Sequence, residues 1–320
     1  RELAWKSIET NEVGTDEFMK WIRKSGAVPM FTVNLGTKGI ENAVSLLEYC
    51  NLPAGTFYSD FRTENGEKEP YGIPIWCLGN EMDGRWQIGY KKPEDYAVLA
   101  EQTAHAMKSL DPNIQLAVCG SSSTSTSTYT DWERIVLEET YEFVDYISLH
   151  QYYGGQEAGT EAFLGQSVEL EEYIETVIGI CDIVRSKKKL RKKINISFDE
   201  WGVWEIPGEA VADSVNRRDW EIAPAFSEQI YTMEDALLFS SMLMAMMKKA
   251  DRVKIACQAL LTNISACIMT EKGGESWRQT IFYPFAYLSK YGQGEVMRTV
   301  DEIPEYSVSK GYQVPFLDYV

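Results

Sequence analysis

A parallel α/β fold is what this 320-residue chain predicts, and three observations predict it. Apolar runs of strand length alternate with longer segments of helical periodicity along most of the chain. Polar residues able to do chemistry follow directly on the apolar runs, as Asn80 and Glu81 follow residues 73–78, and in parallel α/β folds sites collect at the carboxyl ends of strands. The apolar and charged fractions, 44% and 25%, are those of a soluble globular protein, and the length suits one α/β barrel or two smaller domains.

The elements follow in order. Trp5 lies in an opening loop. A helix runs from about Thr15, with Asp16 and Glu17 in its first turn, to Gly26, which reads as its cap. Residues 27–35 read as a strand, 39–50 have helical periodicity, 51–70 read as a polar connection, and 73–78 are a buried strand. Pro93 opens a helix that Asp111-Pro112 stops near Leu110. Residues 114–119 form a strand, and the Ser/Thr-rich stretch 120–130 reads either as a mobile rim over a site or as a solvated loop. A helix near 132–140, a strand over 144–149 that ends in His150, and a helix over 169–185 come next. The basic run 187–193 reads as a solvated helix end whose charge offsets the dipole. A strand over 194–201, a Met- and Leu-rich helix over 234–250 and a strand over 253–261 complete the series. Six strands alternating with helices imply βαβ units with right-handed crossovers, whereas a closed (β/α)8 barrel needs eight strands.

Composition excludes several classes. A net charge of −17 argues against nucleic acid, which needs a basic face. The six cysteines contain no C-x-x-C pair and read as buried reduced thiols, not as a disulfide framework or zinc site. With only His105 and His150 present, a histidine-rich metal site is not available. The longest apolar stretch, 236–247, is too short to span a bilayer and contains Ser240 and Ser241, so no membrane role is expected. No signal peptide is visible, although the chain opens on Arg1.

Two segments carry the chemistry. Glu81 follows a buried strand, at a place where a carboxyl group is half desolvated and its proton affinity can be raised, which is what a general acid needs. In residues 194–201 alternation puts Ile194, Ile196, Phe198 and Glu200 on one face and Asp199 on the other. A single such glutamate reads as a surface ion pair. Two at the ends of buried strands point to paired-carboxylate glycoside hydrolysis.

These segments belong to a longer series: residues 3–11, Val33-Asn34-Leu35-Gly36-Thr37, residues 79–89, Ile147-Ser148-Leu149-His150-Gln151-Tyr152-Tyr153, residues 197–204 and residues 278–285. In that order they resemble the family 51 glycoside hydrolases, the α-L-arabinofuranosidases, within a clan of barrel glycosidases with Asn-Glu after strand four and Glu after strand seven. The resemblance implies an incomplete (β/α)8 TIM barrel over residues 1–302, holding strands three to eight without strands one and two. It implies the start of a C-terminal β-sandwich over 303–320, and hence an internal fragment of a longer protein. It makes Glu81 the general acid/base and Glu200 the nucleophile, about 5–5.5 Å apart in a retaining enzyme. It places Asn80 on the sugar 2-hydroxyl, His150 and Tyr152 beside the nucleophile, and Trp5 and Trp204 around the sugar ring. The expected partner is an arabinofuranosyl oligosaccharide released from arabinan or arabinoxylan, in the cytoplasm. A homo-oligomer, hexameric in the family, is also implied. No metal or organic cofactor is required.

The chain departs from the family pattern at three places. Leu260 stands where a strand-eight glutamine contacts the sugar, and Gln258, two residues earlier on the same strand face, is the candidate replacement. Gly202 replaces an asparagine after Trp201, and Tyr90 replaces a histidine after Gly89. Two alternatives stay open: another retaining glycosidase of the clan, such as an endoglucanase, and a catalytically inactive carbohydrate-binding barrel.

Overall fold

The computed structural model describes residues 7–206, 219–225, 227–297, 299–300 and 302–320. Six strands form one sheet in the order β1 to β6: β1 Met30–Thr32, β2 Ile75–Cys77, β3 Gln115–Cys119, β4 Tyr146–Tyr153, β5 Asn195–Val203 and β6 Val253–Gln258. Each strand is thus hydrogen-bonded to its successor in the chain. The β1–β2, β2–β3 and β3–β4 pairs are parallel, with Met30 opposite Ile75, Ile75 opposite Gln115 and Ala117 opposite Tyr146. Backbone bonds from Asn195 to Asp145 and from Trp204 to Tyr153 advance together, so β4 and β5 are parallel as well.

Among the described residues, helices precede, separate and follow these strands. They are α1 Thr15–Ser25, α2 Ile40–Asn51, α3 Phe57–Glu64, α4 Pro93–Leu110, α5 Asp131–Thr140, α6 Thr160–Leu164, α7 Gln166–Lys188, α8 Met233–Lys248 and α9 Phe282–Tyr291. Their ends follow local chemistry. Gly26, at φ +70°, caps α1 in the left-handed region, and Pro93 stands in the first turn of α4. Thr232 caps α8, accepting the Asp235 N–H while the Asp235 carboxylate accepts from the Thr232 N–H. No helix among the described residues is long and apolar enough to cross a membrane.

The chain divides into two compact units, residues 8–149 with 179–197 and residues 150–178 with 198–320. The first has its own core, in which Leu35, Leu47, Trp76, Leu116, Val118, Trp132 and Leu137 are fully buried. Here Tyr96 of α4 and Trp132 of α5 stack with ring centroids 5.3 Å apart. Their polar tips satisfy backbone groups where the ladder opens: the Tyr96 hydroxyl donates to the Leu78 carbonyl and accepts the Cys119 N–H, and the Trp132 indole donates to the Cys119 carbonyl. In the second unit Phe163, Ile174, Phe198, Trp201, Phe239 and Met242 are fully buried, with Trp201 against Phe239 at 4.6 Å.

Several sequence expectations are corrected. The connection over 51–70 contains the helix α3, whose fully buried Arg62 donates to the carbonyls of Tyr49, Leu52, Glu67 and Lys68. A charged residue that binds backbone from the core leaves no apolar periodicity to read. Strands β4 and β5 run on to Tyr153 and Val203, so His150 and Glu200 lie within strands, not at their ends. Strand β6 stops at Gln258, short of Leu261. Two hairpins were not expected: Ile268–Thr270 with Ser276–Arg278, and Glu305–Ser307 with Gln313–Pro315. The cysteine reading holds for five of six: all are free thiols, Cys257 is exposed and the rest are buried. Burial pushes the Cys50 thiol up to about 12.

Candidate active site

In the first unit, Glu81 sits in a loop built from consecutive turns. Gly84 N–H donates to the Glu81 carbonyl, Gln87 N–H to Gly84, Tyr90 N–H to Gln87, and Lys91 N–H returns to Met82. Two glycines make the loop passable. Gly79, at φ +103°, turns the chain out of β2, and a Cβ there would lie 2.8 Å from the Met82 side chain. Gly89, at φ +89°, packs its Cα against the loop after β1, where a Cβ would meet the Gly36 carbonyl oxygen at 2.2 Å. Glu81 itself has φ +46°, a conformation L residues adopt only when held.

Two contacts on its carboxylate come from its own loop. Glu81 Oε2 accepts from the Trp86 indole N–H at 2.5 Å and from the Gln87 amide at 2.9 Å. Neither donor was singled out in the sequence. Both stand in the matched stretch 79–89, but a tryptophan five residues downstream reads as packing until the turns bring it back. Asn80 is exposed on the same loop.

In the second unit the carboxylate of Glu200 is held by the neighbouring strand. The Tyr152 hydroxyl donates to Glu200 Oε1 at 2.9 Å, and His150 Nδ1 lies 3.6 Å from Oε2. The other imidazole nitrogen, Nε2, is 3.3 Å from Asp199 Oδ1. Strict alternation separates Asp199 from Glu200, yet both carboxylates reach opposite nitrogens of one buried ring. His150 and Tyr152, at i and i+2 on β4, therefore work side by side as their spacing predicts. Trp204 packs edge-on against Tyr152, centroids 5.4 Å apart, and its indole donates to the Ile206 carbonyl. Trp5 lies outside the described residues.

Gln258 is placed near this group but is engaged elsewhere. Its amide nitrogen donates to the carbonyls of Ala259 and Ser265, at 2.8 and 2.7 Å, so both N–H bonds brace the loop after β6. Leu260 is half exposed on that loop. A Cβ at Gly202 would stand 3.7 Å from the Tyr152 ring and 3.8 Å from the Gln258 amide, ordinary contact distances, so the position lies directly against both.

A buried polar framework backs this region, and the sequence reading left it unassigned. Gln279, from the matched stretch 278–285, accepts the Tyr231 N–H and donates to the carbonyls of Gln229 and Ala266. Gln229 in turn accepts the Glu205 N–H at 2.6 Å and donates to Ser265 Oγ, while the Tyr231 hydroxyl donates to the Val203 carbonyl. One glutamine thus ties the segment that follows Glu200 to the loop after β6.

Residues 1–168 match the model of the α-L-arabinofuranosidase 1 domain, and residues 199–313 match that of the α-L-arabinofuranosidase C-terminal domain. The chain is 52% identical over 320 residues to an intracellular exo-α-(1→5)-L-arabinofuranosidase of Acetivibrio thermocellus, covering 100% of this chain and 64% of that one. It is 50% identical over 317 residues to one from Bacillus subtilis, covering 99% and 63%. Among solved structures it is similar to a family 51 α-L-arabinofuranosidase from Bifidobacterium longum, with TM-score 0.94 and 38% identity over 98% of this chain and 64% of that chain. It is also similar to the arabinose complex of the Thermotoga maritima α-L-arabinofuranosidase, at TM-score 0.84 and 29% identity over 99% and 62%. The chain therefore spans just under two thirds of the length of these relatives.

Proposed function

The chain belongs to the α-L-arabinofuranosidases of glycoside hydrolase family 51, and on that premise we propose that the protein it forms part of is a retaining, exo-acting α-L-arabinofuranosidase. Its substrates would be terminal arabinofuranosyl residues of arabinan, arabinoxylan or their oligosaccharides. The names of the relatives at 50% and 52% identity favour α-(1→5) links and a cytoplasmic location. In this reading residues 1–302 are barrel, carrying strands three to eight, and 303–320 begin a β-sandwich. Assembly as a homo-oligomer belongs to the same reading.

Glu200 attacks the anomeric carbon and forms a glycosyl-enzyme, while Glu81 protonates the departing oxygen. Glu81 then takes a proton from the water that releases arabinose. Each step balances: one C–O bond breaks as another forms, and the proton given in the first half is regained in the second. Asn80 would bind the sugar 2-hydroxyl, and Trp204 and Trp5 would line the ring. Gln258 would serve by shaping the loop after β6.

The observation that carries this reading is the setting of Glu200. A nucleophilic carboxylate must be aimed at the anomeric carbon, and hydrogen-bond donation from Tyr152 to Oε1 with His150 alongside Oε2 supports that role. The test is hydrolysis of 4-nitrophenyl α-L-arabinofuranoside by the full-length protein, beside Glu81→Ala and Glu200→Ala, with the anomer of the first product read by NMR. Turnover with retention, lost in both variants, supports the proposal. Inversion, or arabinose binding without turnover, would sink it, the latter in favour of an inactive carbohydrate-binding barrel.

A further inference from the structure

We propose that Asp83 is a positioning residue for proton transfer, clamping the loop of Glu81 to the Ser/Thr-rich loop after β3. This rests on the assignment of Glu81 as acid/base. Asp83 stands two residues beyond Glu81. Its Oδ2 accepts from both the N–H and the hydroxyl of Ser122, at 3.0 and 3.1 Å. Ser122 is itself a fixed point. The preceding Ser121 N–H donates at 2.7 Å to Glu133 Oε1, a fully buried carboxylate of α5, and Glu133 Oε2 accepts the Thr130 N–H at 2.8 Å. One carboxylate thus grips the stretch 120–130 at both ends, and a second joins its beginning to the Glu81 loop. The start of this stretch is neither a mobile rim nor a solvated loop: Ser121 and Ser122 are buried.

The arrangement has a cost that a merely convenient contact would not carry. Burial pushes the Asp83 carboxyl above its ordinary range, and the nearby charge of Glu81 adds to this. Asp83 Oδ1 is buried without a hydrogen-bond partner among the described residues. Glu81 sits at φ +46°, a backbone state that persists only when its surroundings over-determine it. Trp86 and Gln87 hold the carboxylate from within the same loop, so they move with it. The Ser122 clamp refers the loop to α5, outside it. A general acid displaced by a fraction of an ångström loses rate in proportion to how much the leaving group needs its proton.

The experiment uses the full-length protein with Asp83→Ala and Asp83→Asn, the latter keeping an acceptor for Ser122. Two substrates are compared: an α-(1→5)-linked arabinofuranobiose, whose leaving group needs protonation, and 2,4-dinitrophenyl α-L-arabinofuranoside, whose leaving group does not. The alanine variant should lose about 10²-fold in kcat/KM on the disaccharide and less than about threefold on the aryl substrate, with the asparagine variant recovering most of the loss. Equal losses on both substrates, or an asparagine variant no better than alanine, overturn the proposal while leaving the function intact. Absence of wild-type turnover on either substrate removes the function and this inference together. Should the alanine variant fail to fold, Ser122→Ala, which keeps the backbone contact, must show the same split at smaller size, and an equal loss there overturns the clamp.

Discussion

Glu81 and Glu200 are held in opposite ways. Glu81 occupies a loop, in a left-handed backbone state, with its carboxylate bound by Trp86 and Gln87 from five and six residues downstream. Glu200 lies inside a nine-residue strand, with its carboxylate bound by Tyr152, 48 residues upstream on the neighbouring strand. On the proposed mechanism, the difference suits the two tasks. A nucleophile must sit at one distance from one carbon, and a strand braced by its neighbour keeps that distance better than a loop. An acid/base group must serve a leaving oxygen and then a water, and in this reading its placement rests on turns within its own loop together with the Asp83–Ser122 contact to the loop after β3.

The largest expected effect separates the two residues themselves. Glu200→Ala should abolish turnover of every substrate. Glu81→Ala should cost roughly 10²–10⁴-fold on substrates with poor leaving groups, and less on activated aryl glycosides. Steady-state kinetics on both substrate types decides this, and equal losses for the two variants would break the contrast.

Gly89→Ala probes the loop half. It combines φ +89° with a Cβ placed 2.2 Å from the Gly36 carbonyl oxygen, so a loss of about 3 kcal/mol in denaturant unfolding is expected. Activity should fall first on poorly activated substrates. Tyr152→Phe probes the strand half. It removes one hydrogen bond to a charged acceptor, worth about 1.5–3 kcal/mol, and should lower kcat/KM on both substrate types alike. A substrate-selective loss in Tyr152→Phe would merge the two halves.

The smallest effect serves as a control. Glu138 is held below the usual carboxylate range by a hydrogen bond from Lys187, with the charges of Lys187 and Arg134 adding to it. Its stabilisation is present above the unfolded carboxylate range and is lost as pH falls through the lowered folded value. Glu138→Gln should therefore cost about 0.5 kcal/mol near pH 7 and nothing at acidic pH, with activity unchanged. Unfolding curves at the two pH values measure it.

Both carboxylates, together with His150 and Tyr152, could be nominated from the chain because each stands in or just beyond a short apolar run that reads as a strand. The i, i+2 spacing of His150 and Tyr152 already put them on one face, and the structure adds that both address Glu200. Helix α3 was hidden because Arg62 anchors it from the core with a charged group. The roles of Gln258 and Gln279 were hidden for a related reason. Amide side chains carry no period, and where they point is set by which unpaired backbone groups lie nearby after folding.

Alternation of apolar runs and helical periods was enough to specify a parallel sheet with consecutive strands adjacent, since burial of each run admits few other connections. Motif order was enough to specify the family and to nominate the two glutamates. Folding alone assigned the contacts in and around the site: the return of Trp86 and Gln87 to Glu81, the two-sided use of the His150 ring by Asp199 and Glu200, the Ser122 clamp on Asp83, and the engagement of Gln258 with loop carbonyls. These contacts depend on ångström-scale distances between segments, and a hydrogen bond's strength falls away within a fraction of an ångström that no spacing along the chain encodes.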